Sequence, residues 1–432
     1  MQNVPPRRLL SSLFEAAVAA ADPTRIIPAW LPEPPRGRTI VIGAGKGSAA
    51  MAQAFDAAWP HPLEGVVVTR YGYGAPCARI RVVEASHPVP DAAGLAAALL
   101  LFDTISGLSA DDLVVALISG GGSALLPSPP EGLTLADEQA FNQALLRSGL
   151  AISDMNLLRK HVSGIKGGRL ARAVAPAKLI TLVLSDVPGD NPAQVASGPT
   201  VPDFGSRADA LALLAQTRLS LPDAVLRHLQ SELADAPLPS DACFAGQEVH
   251  VIGSAALSLQ AAADTCGSLY GLHAAILSDA IEGEARDVGQ MHAAIAREIA
   301  TRDRPFTAPV VLLSGGETTV SVNGPCGQGG RNSEFALSLA IGLQGTRDIH
   351  ALAADTDGID GASDSAGAFV DSTTVSRLRA AGLDPKAVLA GHDSWTAFSR
   401  IGDVFDTGPT RTNVNDFRAI LINGAPLPPT AT

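Results

Sequence analysis

The chain is poor in cysteine, in aromatic residues and in charge, and each shortage removes a class of protein. Four cysteines occur in 432 residues (Cys77, Cys243, Cys266 and Cys326). They stand apart with no CxxC, so neither a disulfide framework nor a zinc ribbon is expected. Aromatics make up 4% of the chain, too little for a base-stacking nucleic-acid binder. The formal net charge of −12 also disfavours a polyanionic partner. The apolar run AAGLAAALLLF at 92–102 is too short to span a bilayer. The N-terminal apolar run is interrupted by Glu15 and reads as an amphipathic helix rather than a signal peptide. A soluble, reduced, cytoplasmic protein is expected, with neither nucleic acid nor membrane as partner.

What the chain does have is a large apolar fraction, 46%, against 17% charged residues. That composition supports a sizeable core, and the length suits two or three domains. Short β-type apolar runs alternate with longer helical ones. Strands are expected at 39–42, 65–69, 80–84, 113–118 and 179–184, with helices at 47–58, 91–105, 135–150, 155–175 and 206–216. A second series of strands follows at 248–253, 272–277, 310–313, 318–322, 349–353 and 418–422. The pattern predicts an α/β fold with parallel or mixed sheets covered on both faces. Segment 231–247, with two prolines and weak periodicity, marks the expected boundary between domains of 1–240 and 241–432.

Glycine-rich turns carry most of the chemical signal. In LLSGGETTVSVNGPCGQGGRNSEFAL (312–337), Gly315, Gly316 and Glu317 follow a strand, and three glycines precede Arg331 and a helix opening at Asn332. Free backbone N–H groups at such a helix start, beside a guanidinium, suit a small anion. VIGAGKGSAAMA (41–52) places Lys46 in a turn with Gly43 and Gly45. A dinucleotide fingerprint is incomplete there, because Ser48 replaces the third small residue and Arg70, not an acid, ends the next strand. A lysine at a helix N-terminus fits an anion site, although a solvated lysine is the bland alternative. SGGGSALL (119–126) offers Ser119, Gly120, Gly121, Gly122 and Ser123 as a backbone nest or as a merely flexible loop.

Charged clusters complete the picture. Arg159, Lys160, His161 and Lys166 fall on one predicted helix, as anion ligands or as a basic outer face. Asp186 and Asp190 follow a strand and suit Mg²⁺, unless they only form a turn. Asp355, Asp357, Asp360 and Asp364 form an acidic loop that fails the EF-hand pattern but can hold Mg²⁺ or act as a base. A polar wall with Asn413 lies near the C-terminus.

Together these motifs, with HPVPD at 87–91, SDVPGD, ASGPT, ADTDGIDG and GPTRTNVND, resemble the glycerate 2-kinase family. The resemblance runs in order from about residue 40 to 416. It implies an N-terminal Rossmann-like three-layer domain and a C-terminal mixed-sheet domain with a MOFRL region at about 308–420. It also implies an interdomain cleft in which ATP and Mg²⁺ serve phosphorylation of D-glycerate at O2. Lys46 and Arg331 would be essential, with Asp186 and Asp357 completing the catalytic set. Gly43, Gly45, 119–123, Gly315, Gly316, Glu317 and Asn332 would bind nucleotide. His87, Arg159, Lys160, Lys166 and Asn413 would bind glycerate, and Asp186, Asp190 and Asp355 the metal. The resemblance leaves room for a homodimer. Some relatives carry a hydroxypyruvate reductase label, which makes an NAD(P)H-dependent reductase the alternative.

Overall fold

The structure, a computed structural model, describes residues 4–217, 219–322 and 324–423. Residues 1–3, 218, 323 and 424–432, which the expected domains include, lie outside the described residues. The chain divides into two compact units, residues 23–252 and residues 1–22 together with 253–432. That division differs from a cut at 240.

The unit of residues 23–252 is built on a six-stranded sheet. Its strands are β1 (Thr39–Ala44), β2 (Glu64–Arg70), β3 (Ile80–Ala85), β4 (Leu113–Ser119), β5 (Lys178–Leu184) and β6 (Glu248–Gly253), in the order β3-β2-β1-β4-β5-β6. Pairing from β1 to β5 is parallel throughout. β1 and β4 are buried along their whole length, which is why they read as unbroken apolar runs. The chain leaves β1 in one direction along the sheet and later returns to β4 on its other side. The crevice between these two strand ends is where ligands bind in sheets of this kind. β6 completes this sheet, so the boundary expected before it falls one strand too early.

A helical layer covers part of this unit with its own core of Phe141, Leu145, Leu158, Val162, Val225 and Leu229. The single helix expected at 155–175 is two, Ile152–His161 and Arg169–Val174. The break holds Gly167 and Gly168 at φ +60° and +79°, conformations that favour glycine. Buried ion pairs fasten the layer. Lys166 Nζ lies 3.0 Å from Glu138, and Lys160 Nζ lies 2.6 Å from Asp203.

The other unit carries β7 (His273–Glu284), β8 (Val310–Thr319), β9 (Ile349–Asp355), β10 (Gly367–Asp371), β11 (Val404–Phe405) and β12 (Asp416–Ile422), in the order β11-β10-β9-β12-β8-β7. The sheet is mixed: β7 and β8 are parallel and the remaining pairs antiparallel. The helix Pro6–Ala19 belongs here. Its buried stripe of Leu9, Leu10, Leu13, Phe14 and Ala17 shares a core with β9 and β12, and Phe14 meets Phe405 and Phe417 edge-on. The stripe announces a helix but not which sheet it covers. β8 runs straight through Ser314-Gly315-Gly316, where a strand end was expected. A Cβ at Gly316 would overlap the backbone of Ile281 on β7, so glycine serves the β7–β8 approach. No helix among the described residues is long and apolar enough to cross a membrane.

The Lys166–Glu138 pair is testable apart from any activity. Both side chains are 3% exposed, so Lys166→Met strands a buried carboxylate. Urea unfolding should show a loss of about 3–5 kcal/mol, largely recovered by adding Glu138→Leu. A single variant as stable as the parent would refute the structural role.

Candidate functional site

In the unit of residues 23–252, the C-terminal ends of five parallel strands bring polar groups to one edge. β1 leads into Lys46, β2 ends at Arg70, β3 is followed by His87, β4 by Gly120–Gly122 and β5 by Asp186. Backbone bonds hold these ends in place. Gly45 N–H donates to Val68 O at 3.1 Å, Lys46 N–H to Gly120 O at 2.8 Å, and the Thr69 hydroxyl to Lys46 O at 3.3 Å. A Cβ built on Gly121, at φ +80°, would sit 3.1 Å from the His87 ring and 3.2 Å from Lys46 Cγ. Lys46, His87 and the triple-glycine turn therefore share one small space. At Gly120, a Cβ would overlap the Asp186 carboxylate, which fills that cradle.

The edge is cationic. Among the described residues, no carboxylate or other acceptor pairs with the side chains of Lys46 or Arg70. Burial, reinforced by the charges of Lys46 and Arg70, pulls His87 from an ordinary 6.5 down to about 4. An imidazole kept neutral by burial, with two nearby cations adding to the effect, marks a place that a bound anion would relax.

Several residues expected to contact nucleotide instead fasten β1 to β4. A Cβ at Gly43 would overlap Leu117 O, and one at Gly45 would overlap Ser119. Ser119 Oγ accepts from Gly47 N–H at 2.9 Å, occupying the start of the helix Ser48–Ala58. Ser48 Oγ donates to Leu117 O at 2.9 Å. Gly122 packs on Ala196, and Ser123 bonds Ser197 at 2.7 Å. Ser197 continues to Asn156 at 2.9 Å, and Asn156 Oδ1 accepts from Arg159 at 3.2 Å. Arg159 also reaches Asn142 at 3.2 Å. This polar chain runs through a loop in which Asp190, Ala196 and Ser197 all have positive φ, stored strain of the kind found at functional sites. Lys160 and Lys166 are withdrawn from the expected substrate set by their buried ion pairs, and His161 is held between Ala234 O and Gly205 O.

The site expected around Arg331 has the opposite sign. Its guanidinium is already clasped by Asp416 at 2.6 Å, Glu317 at 2.9 Å and Asp355 at 2.9 Å. Asp416 is shared with the fully buried Arg418, with Asn332 Nδ2 at 2.9 Å and with Thr318. Burial pushes the Asp355 carboxyl well above its usual range, against the pull of Arg331 and with help from Asp357 and Asp416. Burial acts on Asp416 too, but Arg418 and Arg331 outweigh it and hold that carboxyl low. The helix Arg331–Gly342 does bind an anion at its N-terminus, and the anion is the chain's own. Asp360 accepts from the Asn332 and Ser333 amides, both at 2.8 Å. Gly330 allows this, since a Cβ there would overlap Asp360. The anion-holding reading of Gly327–Asn332 is thus corrected, and Gly315 and Gly316 lie inside β8. Asp357 accepts from Ile359 N–H at 2.8 Å in a turn, and Asn413 accepts from Asn415 N–H at 3.0 Å.

No group of three or more potential metal ligands occurs among the described residues. Mg²⁺ needs only one or two carboxylates when phosphate supplies the rest. Asp186, beside the glycine turn, fits that role; Asp355, neutralised by Arg331, does not. Arg70 was absent from the expected site, and Asp360, expected to serve as a metal ligand or base, instead caps the helix Arg331–Gly342. Arg70 stood out only as the residue where a dinucleotide fold would carry an acid.

The chain was compared with known proteins. The family described as a domain of unknown function (DUF4147) matches residues 9–230, and the MOFRL family matches residues 310–416. A protein of Agrobacterium vitis with a provisional hydroxypyruvate reductase name is 53% identical over 422 residues, covering 97% of this chain and 95% of its own. The D-glycerate 2-kinase of Thermotoga maritima is 38% identical over 415 residues, 95% of this chain and 97% of its own. A crystal structure of glycerate kinase from Thermotoga maritima aligns with a TM-score of 0.87 at 37% identity, over 96% of this chain and 99% of that one.

His87 reports on the site directly. The unfolded chain binds its proton near 6.5 and the folded chain near 4, so its contribution to stability falls as pH drops through that window. NMR titration should give a pKa near 4 that moves upward when inorganic phosphate or ATP is added. An unmoved value at saturating phosphate would separate His87 from any anion site.

Proposed function

The chain belongs to the glycerate 2-kinase family, and we propose that it transfers the γ-phosphoryl group of ATP to O2 of D-glycerate, giving 2-phosphoglycerate and ADP. The observation that carries this reading is the convergence of Lys46, Arg70 and His87 at one sheet edge of a chain with net charge −12. Phosphoryl transfer is chiefly positioning and charge neutralisation, and unpaired cations at a strand-end crevice supply both. Lys46 places its ammonium against phosphate oxygens where charge builds up in the transition state. The glycine turn beside it allows close approach of backbone and ligand. Asp186 would hold Mg²⁺, which when bound neutralises phosphate charge. The strong base that a free alkoxide would require is unnecessary, because the hydroxyl proton leaves as the new P–O bond forms.

Arg159, tied among the described residues to the neutral amide oxygens of Asn142 and Asn156, keeps charge for the glycerate carboxylate. Arg331 enters through the family resemblance, and Asp357 as an acid of the 355–360 loop that can take the hydroxyl proton. The carboxylates around Arg331 hold its guanidinium in one orientation, as a pre-organised cation requires. The scattered free cysteines support a cytoplasmic setting.

The strand order favours a second reading, since dinucleotide-binding domains share it. The turn argues against that reading. In a dinucleotide site the second glycine admits a pyrophosphate, whereas Gly45 faces Ser119.

A coupled assay with glycerate, ATP and Mg²⁺ should show turnover, and hydroxypyruvate with NADH or NADPH should not; the reverse result transfers the chain to the reductases. Lys46→Ala should lower kcat on the order of 10³-fold with thermal unfolding unchanged. Arg331→Ala should lose comparable activity and, by stranding Asp355 and Asp416, about 3–5 kcal/mol of stability as well. Near-normal turnover in Lys46→Ala would remove the cation from the mechanism.

A further inference from the structure

Arg70 is the charged group at the sheet edge that neither motif nor resemblance assigns. It closes β2, beside the turn that carries Lys46, and its guanidinium lies over the Tyr73 ring at 4.2 Å. A stacked arginine has a fixed plane, with its N–H groups aimed outward along the edges. The neighbouring acids are engaged elsewhere. Glu84 accepts from Gly74 N–H at 2.9 Å, and Asp91 accepts from Tyr71 at 2.7 Å and from Gly94 N–H at 2.9 Å. Among the described residues, no acceptor meets the Arg70 side chain. Its positive charge is nonetheless felt at His87, as is that of Lys46.

One carboxylate is matched by one cation, but a polyphosphate carries several charges along a chain. Two cations of different kinds on adjacent strand ends suit the longer anion. Lys46 is a compact point charge and Arg70 a planar fork that can grip two oxygens of one phosphate. We infer that Arg70, oriented by Tyr73, is a specificity-determining residue that binds the non-transferred phosphates of the nucleotide, leaving Lys46 for the group in transit. This rests on the kinase reading for the identity of the nucleotide, and on the geometry alone for a polyphosphate at this edge.

The test uses the full chain with Arg70→Gln, Arg70→Lys and Tyr73→Leu. Loss of a charge-assisted bidentate contact should raise KM for ATP by about 10–100-fold in Arg70→Gln. KM for glycerate should change little. Arg70→Lys should retain part of the affinity, and Tyr73→Leu should shift KM for ATP in the same direction by a smaller factor. Calorimetric titration with pyrophosphate should weaken in parallel, and the His87 pKa should rise in Arg70→Gln. A raised KM for glycerate with KM for ATP unmoved would make Arg70 a carboxylate ligand and overturn the inference. So would unchanged pyrophosphate binding, which would reduce the stack to a solvated surface pair. Because pyrophosphate binding needs no turnover, it separates the two readings. If the parent chain binds pyrophosphate through Arg70 yet fails to phosphorylate glycerate, the phosphate site stands and the proposed reaction falls.

Discussion

The contact between β1 and β4 is the constraint on which the rest of the cationic edge depends. Two parallel strands approach so closely that Gly43 and Gly45 have no room for a side chain against Leu117 and Ser119. That contact ties the Lys46 turn to the triple-glycine turn by backbone hydrogen bonds. Neither turn could move independently without breaking them, so the ammonium is presented from a rigid base. Rigid placement matters for a reaction in which the protein supplies orientation and charge rather than a covalent nucleophile. The glycines that look like a ligand cradle therefore act one layer deeper, by making the cradle stiff.

The same device appears in the other unit with a different outcome. A helix start preceded by glycines lies there too, but it is already taken by an anion of the chain, Asp360, and Arg331 sits among carboxylates. The two units thus present opposite electrostatic faces of one local theme. Cations without partners mark the β1–β4 edge, whereas around Arg331 the acids outnumber the bases. A charged residue near a glycine turn can be either a ligand-seeking group or half of a finished internal pair. Only the positions of the remaining charges decide between them.

This explains what could be read from the sequence. β1, β4 and β5 were legible because strands buried on both faces spell continuous apolar runs bounded by turns. The turn that carries Lys46 was legible because glycines between an apolar run and a helical one mark a strand–turn–helix junction. The pairing of Lys166 with Glu138, or of Arg331 with Glu317, Asp355 and Asp416, was not, since these partners come together only through tertiary folding. The break in the 155–175 helix was written in Gly164, Gly167 and Gly168, but the regular spacing of the basic residues disguised it. β10 and β11 went unread because one is five residues long and the other two, too short for a periodic signal.

The helix Pro6–Ala19 has a consequence for how the chain comes to be folded. It precedes residues 23–252, yet the surface it covers includes β12, which follows them. During synthesis, residues 23–252 can complete their own core and fold while this helix is still without its sheet. Its apolar stripe must then wait, solvent-exposed or chaperoned, until the ribosome has delivered β12. The unit that holds Arg331 is thereby completed only after residues 23–252 and β12 have been made.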